Sequence, residues 1–157
     1  MPSILTCLVA KRLGDPTTSP PKETYQLRDF AASILKRVLE RFSSSYSTLK
    51  PRIARALLKA YLDNKKPFTT HYGAITGLAV MGREVVRTLV VPNLKIYSEM
   101  LLEPALNEGD LGRREDAEKC LEAIMVCVPI LVRVVDLLEG VGCVGCGGGG
   151  VDGGGGR

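Results

Sequence analysis

Two cysteines near the end of the chain, Cys143 and Cys146, have the spacing of a metal-binding or redox-active pair. A structural zinc site needs four ligands, and neither a second Cys pair nor a nearby histidine accompanies this one. A redox dithiol belongs at a helix N-terminus, whereas this pair lies within a run of glycines. We therefore interpret the spacing as chance and expect no metal and no cofactor.

The cysteine content also indicates a cellular compartment. The chain has five cysteines, an odd number, and no secretory signal precedes them. A disulfide framework is therefore not expected, and a reducing intracellular environment is favoured. No apolar segment reaches the roughly 18 to 20 residues that cross a bilayer, so we expect no membrane association.

His71 is the sole histidine in the sequence. Because no further ligand lies near it at metal-ligand spacing, we expect it to face solvent or cap a helix rather than bind a metal or act in catalysis. No nucleophile–base pair, carboxylate pair or metal cluster can be assembled from the sequence. The sequence therefore predicts a protein that is not an enzyme and has no small-molecule substrate.

Basic residues are concentrated in one part of the chain. Residues 23–66 contain ten Lys or Arg and four acids, whereas residues 91–122 contain four basic residues and eight acids. Seven of the basic residues form a candidate surface for DNA phosphates or for an acidic segment of another protein, which we call the basic face: Lys36, Arg37, Arg41, Lys50, Arg52, Arg55 and Lys59. An ordinary solvated helix face is the alternative interpretation.

The clearest amphipathic pattern predicts a helix that ends near Phe42, after a breaker-rich loop over residues 14–21. Thr24 is its candidate N-cap. Its predicted apolar stripe consists of Leu27, Phe30, Ala31, Ile34, Leu35, Val38, Leu39 and Phe42. Arg28 lies off this stripe, and we interpret Arg28 and Asp29 either as docking residues or as an ordinary capping or inter-repeat ion pair.

Two further helices are predicted in the middle of the chain. Pro51 suits the first turn of one of them. Thr69 and Thr70 are candidate caps of the next, in which Gly73 and Gly77 lie one turn apart. Because glycine lowers helix propensity, we expect these two positions to allow another helix to approach closely.

Two prolines are predicted to interrupt helices in the C-terminal half of the chain. Pro92 is predicted to kink or interrupt a helix that begins near Val85. Residues 103–112 are predicted to form a loop or a frayed helix end. A last helix is predicted over residues 113–139, which Pro129 should kink or divide. No segment has the pattern of a β-hairpin.

The helical patterns repeat along the chain. A shift of 45 residues aligns Phe30 with Ile75, and a second shift aligns both with Cys120. HEAT and armadillo repeats have periods of about 40 to 47 residues, so this spacing favours an α-solenoid of antiparallel helix pairs. Such repeats need about three copies for stability, so we expect missing repeats upstream of the helical pattern at residues 4–9.

We therefore predict an all-α fold in two parts. Residues 1–139 should form a HEAT-repeat-like helical domain that is truncated at its N-terminus. Residues 140–157 should form a flexible Gly-rich tail, because glycines bury too little surface to offset the backbone entropy that ordering removes.

Four segments give a more specific indication: YQLRDFAA from Tyr25, the stretch from Tyr61 to Thr70, YGAITGLA from Tyr72, and VPNL from Val91. Together they make residues 3–125 similar to the C-terminal HEAT-repeat domain of subunit 6 of transcription factor TFIID, a TBP-associated factor. The chain departs from that pattern in having Tyr25, Tyr61 and Phe68 where tryptophan is expected. The similarity fades beyond Met125.

The resemblance implies a nuclear scaffold subunit that assembles RNA polymerase II initiation machinery through protein–protein interaction. In fungi the family's subunit is shared with the SAGA coactivator complex, so the implied partners are other TFIID and SAGA subunits. The family joins this domain to an N-terminal histone fold that dimerises with subunit 9. No histone fold precedes Met1, so we do not expect this chain to carry that dimerisation.

A second class of function stays open beside the scaffold. A helical module could bind DNA through the basic face within residues 23–66. Because no aromatic residues are interleaved with these cations, such DNA contact would be weak, nonspecific and sensitive to salt.

Overall fold

The computed structural model of the chain describes residues 2–13, 21–107 and 109–139. These residues form helices without any strand: α1 (Pro2–Val9), α2 (Pro21–Phe42), α3 (Leu49–Leu62), α4 (Phe68–Val80), α5 (Arg83–Val85), a π-helical segment (Val86–Val90), α6 (Val91–Tyr97), a second π-helical segment (Ser98–Leu102), α7 (Glu103–Asn107) and α8 (Leu111–Glu139). The elements from α5 to α7 are continuous, and we call them the interrupted helix. None of the described helices could cross a membrane.

Three helices, α2, α4 and α8, lie side by side in one layer. α4 packs against both α2 and α8. Near the start of their helices, Tyr25 of α2 donates a hydrogen bond to Asp116 of α8, and Tyr72 of α4 donates one to Asp29 of α2. α3 and the interrupted helix connect successive members of this layer. Because helices two apart in the sequence are neighbours in space, the predicted all-α solenoid of antiparallel helix pairs is confirmed.

The central helix, α4, is buried on nearly every side. It packs against α1, α2, α3, α8 and the interrupted helix. Its buried residues are Phe68, Thr70, His71, Gly73, Ala74, Ile75, Gly77 and Leu78. A helix enclosed in this way has no solvent-facing stripe, so the polar residues that it carries must find partners inside the protein.

Two glycines of α4 allow its neighbours to approach closely. A Cβ atom at Gly73 would overlap the carbonyl oxygen of Leu8 at the end of α1. A Cβ atom at Gly77 would lie 3.0 Å from Cδ1 of Leu57 in α3. The prediction that these glycines mark close helix contacts is therefore confirmed.

The buried side of α2 differs from the predicted stripe. Phe30 is 63% exposed and Leu27 is 41% exposed, whereas Arg28 is completely buried. The apolar residues that α2 buries are Ala31, Ala32, Leu35 and Leu39. The two alanines allow close packing, which places the larger side chains of Leu27 and Phe30 on an outer flank. Phe42, at the end of the predicted stripe, is also 43% exposed. The prediction was therefore wrong for Leu27, Phe30, Phe42 and Arg28.

The predicted helix caps are also wrong. α2 begins at Pro21, which places Thr24 inside the helix. The N-cap of α4 is Pro67, so neither Thr69 nor Thr70 caps that helix. In both cases a proline lies at the helix start. Backbone N–H groups at this position have no acceptor within the helix, so the N–H group that proline lacks costs no hydrogen bond there.

The interrupted helix passes through Pro92 without ending. In the first π-helical segment the N–H of Val91 donates to the carbonyl oxygen of Val86. The side-chain amide of Asn93 donates to the carbonyl oxygen of Leu89 at 2.8 Å. The kink or interruption predicted at Pro92 is therefore a single π-helical turn. This wider turn accommodates a residue that has no N–H group to donate within the helix.

A loop or a frayed helix end was predicted over residues 103–112, and the loop interpretation is wrong for the first part of this segment. Glu103–Asn107 is helical, and Ala105 is buried where α7 packs against α8. α8 then runs from Leu111 to Glu139 as one element, so Pro129 does not divide it.

Some predictions fall outside the described residues. These are residues 14–20 of the loop predicted over residues 14–21, the Cys143 and Cys146 pair, and the Gly-rich tail over residues 140–157. The domain boundary after residue 139 stays a prediction for the same reason. Pro21, the last residue of that predicted loop, is the first residue of α2.

Candidate docking surfaces

A groove runs between α2 and α8, and α4 forms its floor. Its two adjoining sections enclose about 440 and about 530 Å³. Residues 22–36 of α2 and residues 115–127 of α8 form its walls in parallel order. At a rise of 1.5 Å per residue, the α2 wall is about 20 Å long.

The two sections of the groove differ in polarity. One is mostly apolar and includes Ala32, Ala79, Val80, Val126 and Cys127. The other carries tyrosines and carboxylates. The groove therefore offers an apolar surface at one end and hydrogen-bonding groups at the other.

Two tyrosines in the polar section are held by carboxylates. The Tyr72 hydroxyl donates to Asp29 at 2.8 Å, and the Tyr25 hydroxyl donates to Asp116. The two rings meet edge to face, with their centroids 4.9 Å apart. Burial, and next the hydrogen bond to a carboxylate, raise the pKa of Tyr25 and Tyr72. Both hydroxyls therefore keep their protons and act as fixed donors.

Four residues of the basic face lie on α3, and all four are exposed. Arg52, Arg55 and Lys59 follow one another at spacings of three and four residues, so they share one stripe of the helix. Lys50 lies in the first turn, on a different side. The structure thus brings three of these cations together on one surface.

The other three residues of the basic face lie on α2 and are also exposed. Arg37 and Arg41 are one turn apart. Lys36 points to a different flank, since it lines the groove and forms an ion pair with Glu40 at 4.0 Å. The seven residues are therefore not one continuous patch, and their role in binding stays a prediction.

Comparison with known proteins identifies the family. Residues 1–95 match the model of the TAF6 C-terminal HEAT repeat domain. The chain belongs to this family. The TAF6 C-terminal domain of Antonospora locustae has a similar fold, with a TM-score of 0.57 and 25% sequence identity, over 77% of this chain and 54% of that chain.

Longer relatives of this TAF6-type domain agree with the assignment. The chain is 55% identical over 125 residues to "SAGA complex/transcription factor TFIID complex subunit Taf6" of Schizosaccharomyces pombe, covering 79% of this chain and 27% of that protein. It is 47% identical over 107 residues to "Transcription initiation factor TFIID subunit 6" of Arabidopsis thaliana, covering 68% of this chain and 19% of that protein. The chain thus spans about a quarter or less of the length of these relatives.

Arg28 of the TAF6-type domain holds the end of α1. Its guanidinium donates to the carbonyl oxygen of Leu8, and to that of Ala10 at 2.8 Å. The Thr70 hydroxyl donates to the same Ala10 oxygen at 3.0 Å. Burial lowers the pKa of Arg28 to about 10, which leaves the group charged at neutral pH. We call this arrangement the Arg28 clamp.

The clamp corrects both interpretations of Arg28, whereas the docking role of Asp29 stays a prediction. Arg28 is buried, so it is not a docking residue, and its partners are carbonyl oxygens rather than a carboxylate. Asp29 instead accepts a hydrogen bond from Tyr72. The sequence did carry one signal of burial, because Arg28 stands at helical spacing from Ala31, Ala32 and Leu35.

His71 is completely buried, so the prediction that it faces solvent or caps a helix is wrong. Its Nδ1 atom lies 3.1 Å from the carbonyl oxygen of Tyr61, which requires a proton on Nδ1. The ring packs 5.5 Å from that of Tyr97, centroid to centroid. Burial lowers the pKa of His71, which favours a neutral ring.

Two of the described thiols, Cys120 and Cys127, are also buried, whereas Cys7 is half-buried. Cys120 donates to the carbonyl oxygen of Phe68 at 3.2 Å. Burial raises the pKa of Cys120 to about 12 and that of Cys127 to about 11, so neither forms a thiolate at neutral pH. Within the described part of the chain, no three His, Cys, Asp or Glu side chains are grouped so that they could hold a metal ion.

Proposed function

We propose that the chain is part of a scaffold subunit of TFIID that is shared with SAGA. It would act in the nucleus, in transcription initiation by RNA polymerase II, by holding other subunits of these complexes on its helical repeats. The observation that carries this proposal is the identity of 55% over 125 residues with a fission yeast protein named as a subunit of both complexes. The family match over residues 1–95 supports it.

The physical properties of the solenoid support a docking role. Parallel helices around a buried α4 hold their outer surfaces at fixed separations, which suits a protein that positions its partners. Large apolar side chains stay exposed at several places, among them Phe30, Ile96, Met100 and Val126. Exposed apolar groups of this size are common at protein–protein interfaces. The proposed role requires neither catalysis nor a cofactor.

A domain exchange tests the scaffold proposal. This chain would replace the matching segment of the fission yeast subunit, beside a variant that lacks the segment and the unaltered protein. Tagged versions would be purified from yeast, and the associated TFIID and SAGA subunits would be quantified by mass spectrometry. We expect the exchange to restore the subunits that the deletion loses. A stable chimera that restores none of them would refute the proposal.

DNA binding is the second candidate function, and the stripe of Arg52, Arg55 and Lys59 favours it. If these side chains contact phosphates, the affinity of the chain for arbitrary duplex DNA falls by orders of magnitude between low and physiological salt. The triple change to glutamate would then remove the binding. If the chain is a protein scaffold, the chimera keeps its partners over the same salt range, since contacts with an apolar core are only weakly screened.

A further inference from the structure

A cavity of about 570 Å³ lies where the turn between α3 and α4 meets the start of α8. Four cationic side chains line it, and we call it the basic pocket: Lys11, Lys65, Lys66 and Arg113. None of them belongs to the basic face. They come from three segments that are distant in the sequence, so the fold, rather than local composition, creates this concentration of positive charge.

Two carboxylates, Asp110 and Asp116, also line the basic pocket, and both accept hydrogen bonds within the protein. Asp110 accepts a hydrogen bond from the N–H of Gly112 at 3.0 Å and so caps the start of α8. Asp116 accepts one from the hydroxyl of Tyr25. Asp63, in the adjacent turn, accepts a backbone N–H at 3.2 Å. These three acids therefore contribute to the walls of the pocket through hydrogen bonds of their own.

The lysines of the pocket lack anionic partners. Among residues 2–13, 21–107 and 109–139, no carboxylate forms an ion pair with Lys11, Lys65 or Lys66. Lys11 and Lys65 are exposed, and Lys66 is half-buried. Like charges held at one cavity repel each other, and an anionic ligand would relieve that repulsion.

The pocket also has an apolar wall. Pro67 is exposed in it, and Leu101 is half-buried. The Arg113 guanidinium lies 5.9 Å from the centroid of the Phe68 ring, which orients its planar set of donors beside that wall. A ligand that fits this surface carries negative charge and an apolar side chain together.

The start of α8 argues against an isolated phosphate as the ligand. A helix N-terminus binds phosphate through free backbone N–H groups. Here the side chain of Asp110 accepts from Gly112 N–H and Arg113 N–H, and its carbonyl oxygen accepts from Arg114 N–H at 3.0 Å. Because these donors are already used, the ligand must be held by the side chains of the pocket.

We propose that the basic pocket binds an acidic peptide segment of a partner protein. The carboxylates of the peptide pair with Lys11, Lys65, Lys66 and Arg113, and an apolar side chain of the peptide lies against Pro67 and Leu101. This site is separate from the basic face and does not depend on the function proposed above.

Fluorescence anisotropy with the full chain tests the site. The probe is a short fluorescein-labelled peptide of alternating glutamate and leucine. The double variant Lys65→Glu and Lys66→Glu should bind it about tenfold more weakly, because two attractive charges at the rim of the pocket become repulsive. The matched control, Arg83→Glu and Arg87→Glu, makes the same change in charge at two exposed residues of the interrupted helix, which lie outside both the basic pocket and the basic face. We expect the affinity of this control to stay within about twofold. Thermal unfolding would confirm that both variants are folded.

A second comparison tests the apolar wall. Leu101→Ser should weaken binding of the glutamate–leucine peptide while leaving the binding of a glutamate-only peptide of equal charge unchanged. The proposal is overturned if the wild-type chain does not bind the mixed peptide, or if both double variants weaken binding equally. It is also overturned if a phosphoserine peptide of equal charge, or duplex DNA, binds the pocket more tightly than the mixed peptide.

Discussion

Replacing Arg28 with methionine should loosen α1 from the rest of the fold. Methionine keeps a long, unbranched side chain but removes the guanidinium donors of the Arg28 clamp. The oxygen of Leu8 then loses its charged donor, whereas that of Ala10 keeps the Thr70 hydroxyl. Two hydrogen bonds from a charged group contribute about 3 to 6 kcal/mol, and part of that is offset because a charge no longer has to be buried. We expect the free energy of unfolding to fall by about 2 to 4 kcal/mol.

Urea unfolding followed by circular dichroism measures this change. The matched control is Arg55→Met, which removes an exposed arginine from α3 and should alter stability by less than about 0.5 kcal/mol. Arg28→Lys should fall between the two, because a single ammonium group does not reproduce the planar fork of guanidinium donors. Hydrogen exchange should show the largest gain in rate for the backbone amides of α1.

Two results would contradict the clamp. One is equal unfolding free energies for Arg28→Met and Arg55→Met. The other is a large loss of stability in Arg28→Met with unchanged hydrogen exchange in α1, which would show that Arg28 supports the core generally rather than the end of that helix.

Two further predictions concern α4. Gly73→Ala should lower the unfolding free energy by more than about 2 kcal/mol in urea titrations, because its Cβ overlaps the oxygen of Leu8. The control Gly109→Ala, whose Cβ would meet open space, should change it by less than about 0.5 kcal/mol; equal effects would contradict the close contact. The pKa of His71 is lower in the folded state than the unfolded value of about 6.5. Below that pH the unfolded chain therefore binds the proton more readily, and the free energy of unfolding decreases as the pH is lowered. Its contribution is complete above about pH 6.5 and declines below it by at most about 1.4 kcal/mol per pH unit. Unfolding free energies measured across this pH range should show a shallower slope for His71→Asn than for the wild type, and identical slopes would contradict the assignment.

The repeat pattern was the part of the fold most directly readable from the sequence. A shift of 45 residues relates Phe30, Ile75 and Cys120, and these residues lie on α2, α4 and α8, the three helices that share one layer. Helix spacing and period depend on nearby residues along the chain, so a one-dimensional pattern predicts them well.

The burial of polar groups could not be predicted in the same way. Arg28 and His71 are buried because carbonyl oxygens of Leu8, Ala10 and Tyr61 come within reach, and only the folded arrangement brings those oxygens there. Hydropathy assigns both side chains to the surface, since it takes no account of such partners.

The charged surfaces show the same limit. The sequence grouped cations by their closeness along the chain, but the structure separates Lys36 from Arg37 and Arg41 on α2. It also brings Lys11 and Arg113, from opposite ends of the described chain, to one cavity. The clustering of charges in space depends on how the helices pack, and the amino-acid composition carries no information about that packing.

The π-helical turns of the interrupted helix are positions where the chain can gain or lose single residues during evolution. A π-turn holds one residue more than the α-helical turn it replaces, so gaining or losing one residue there changes the local winding and spares the flanking helices. Alignments of homologous sequences should therefore place single-residue gaps at Val86–Val90 or Ser98–Leu102. In α4 the same insertion would rotate every later side chain out of register with the five helices that pack against it, so we expect its length to be invariant.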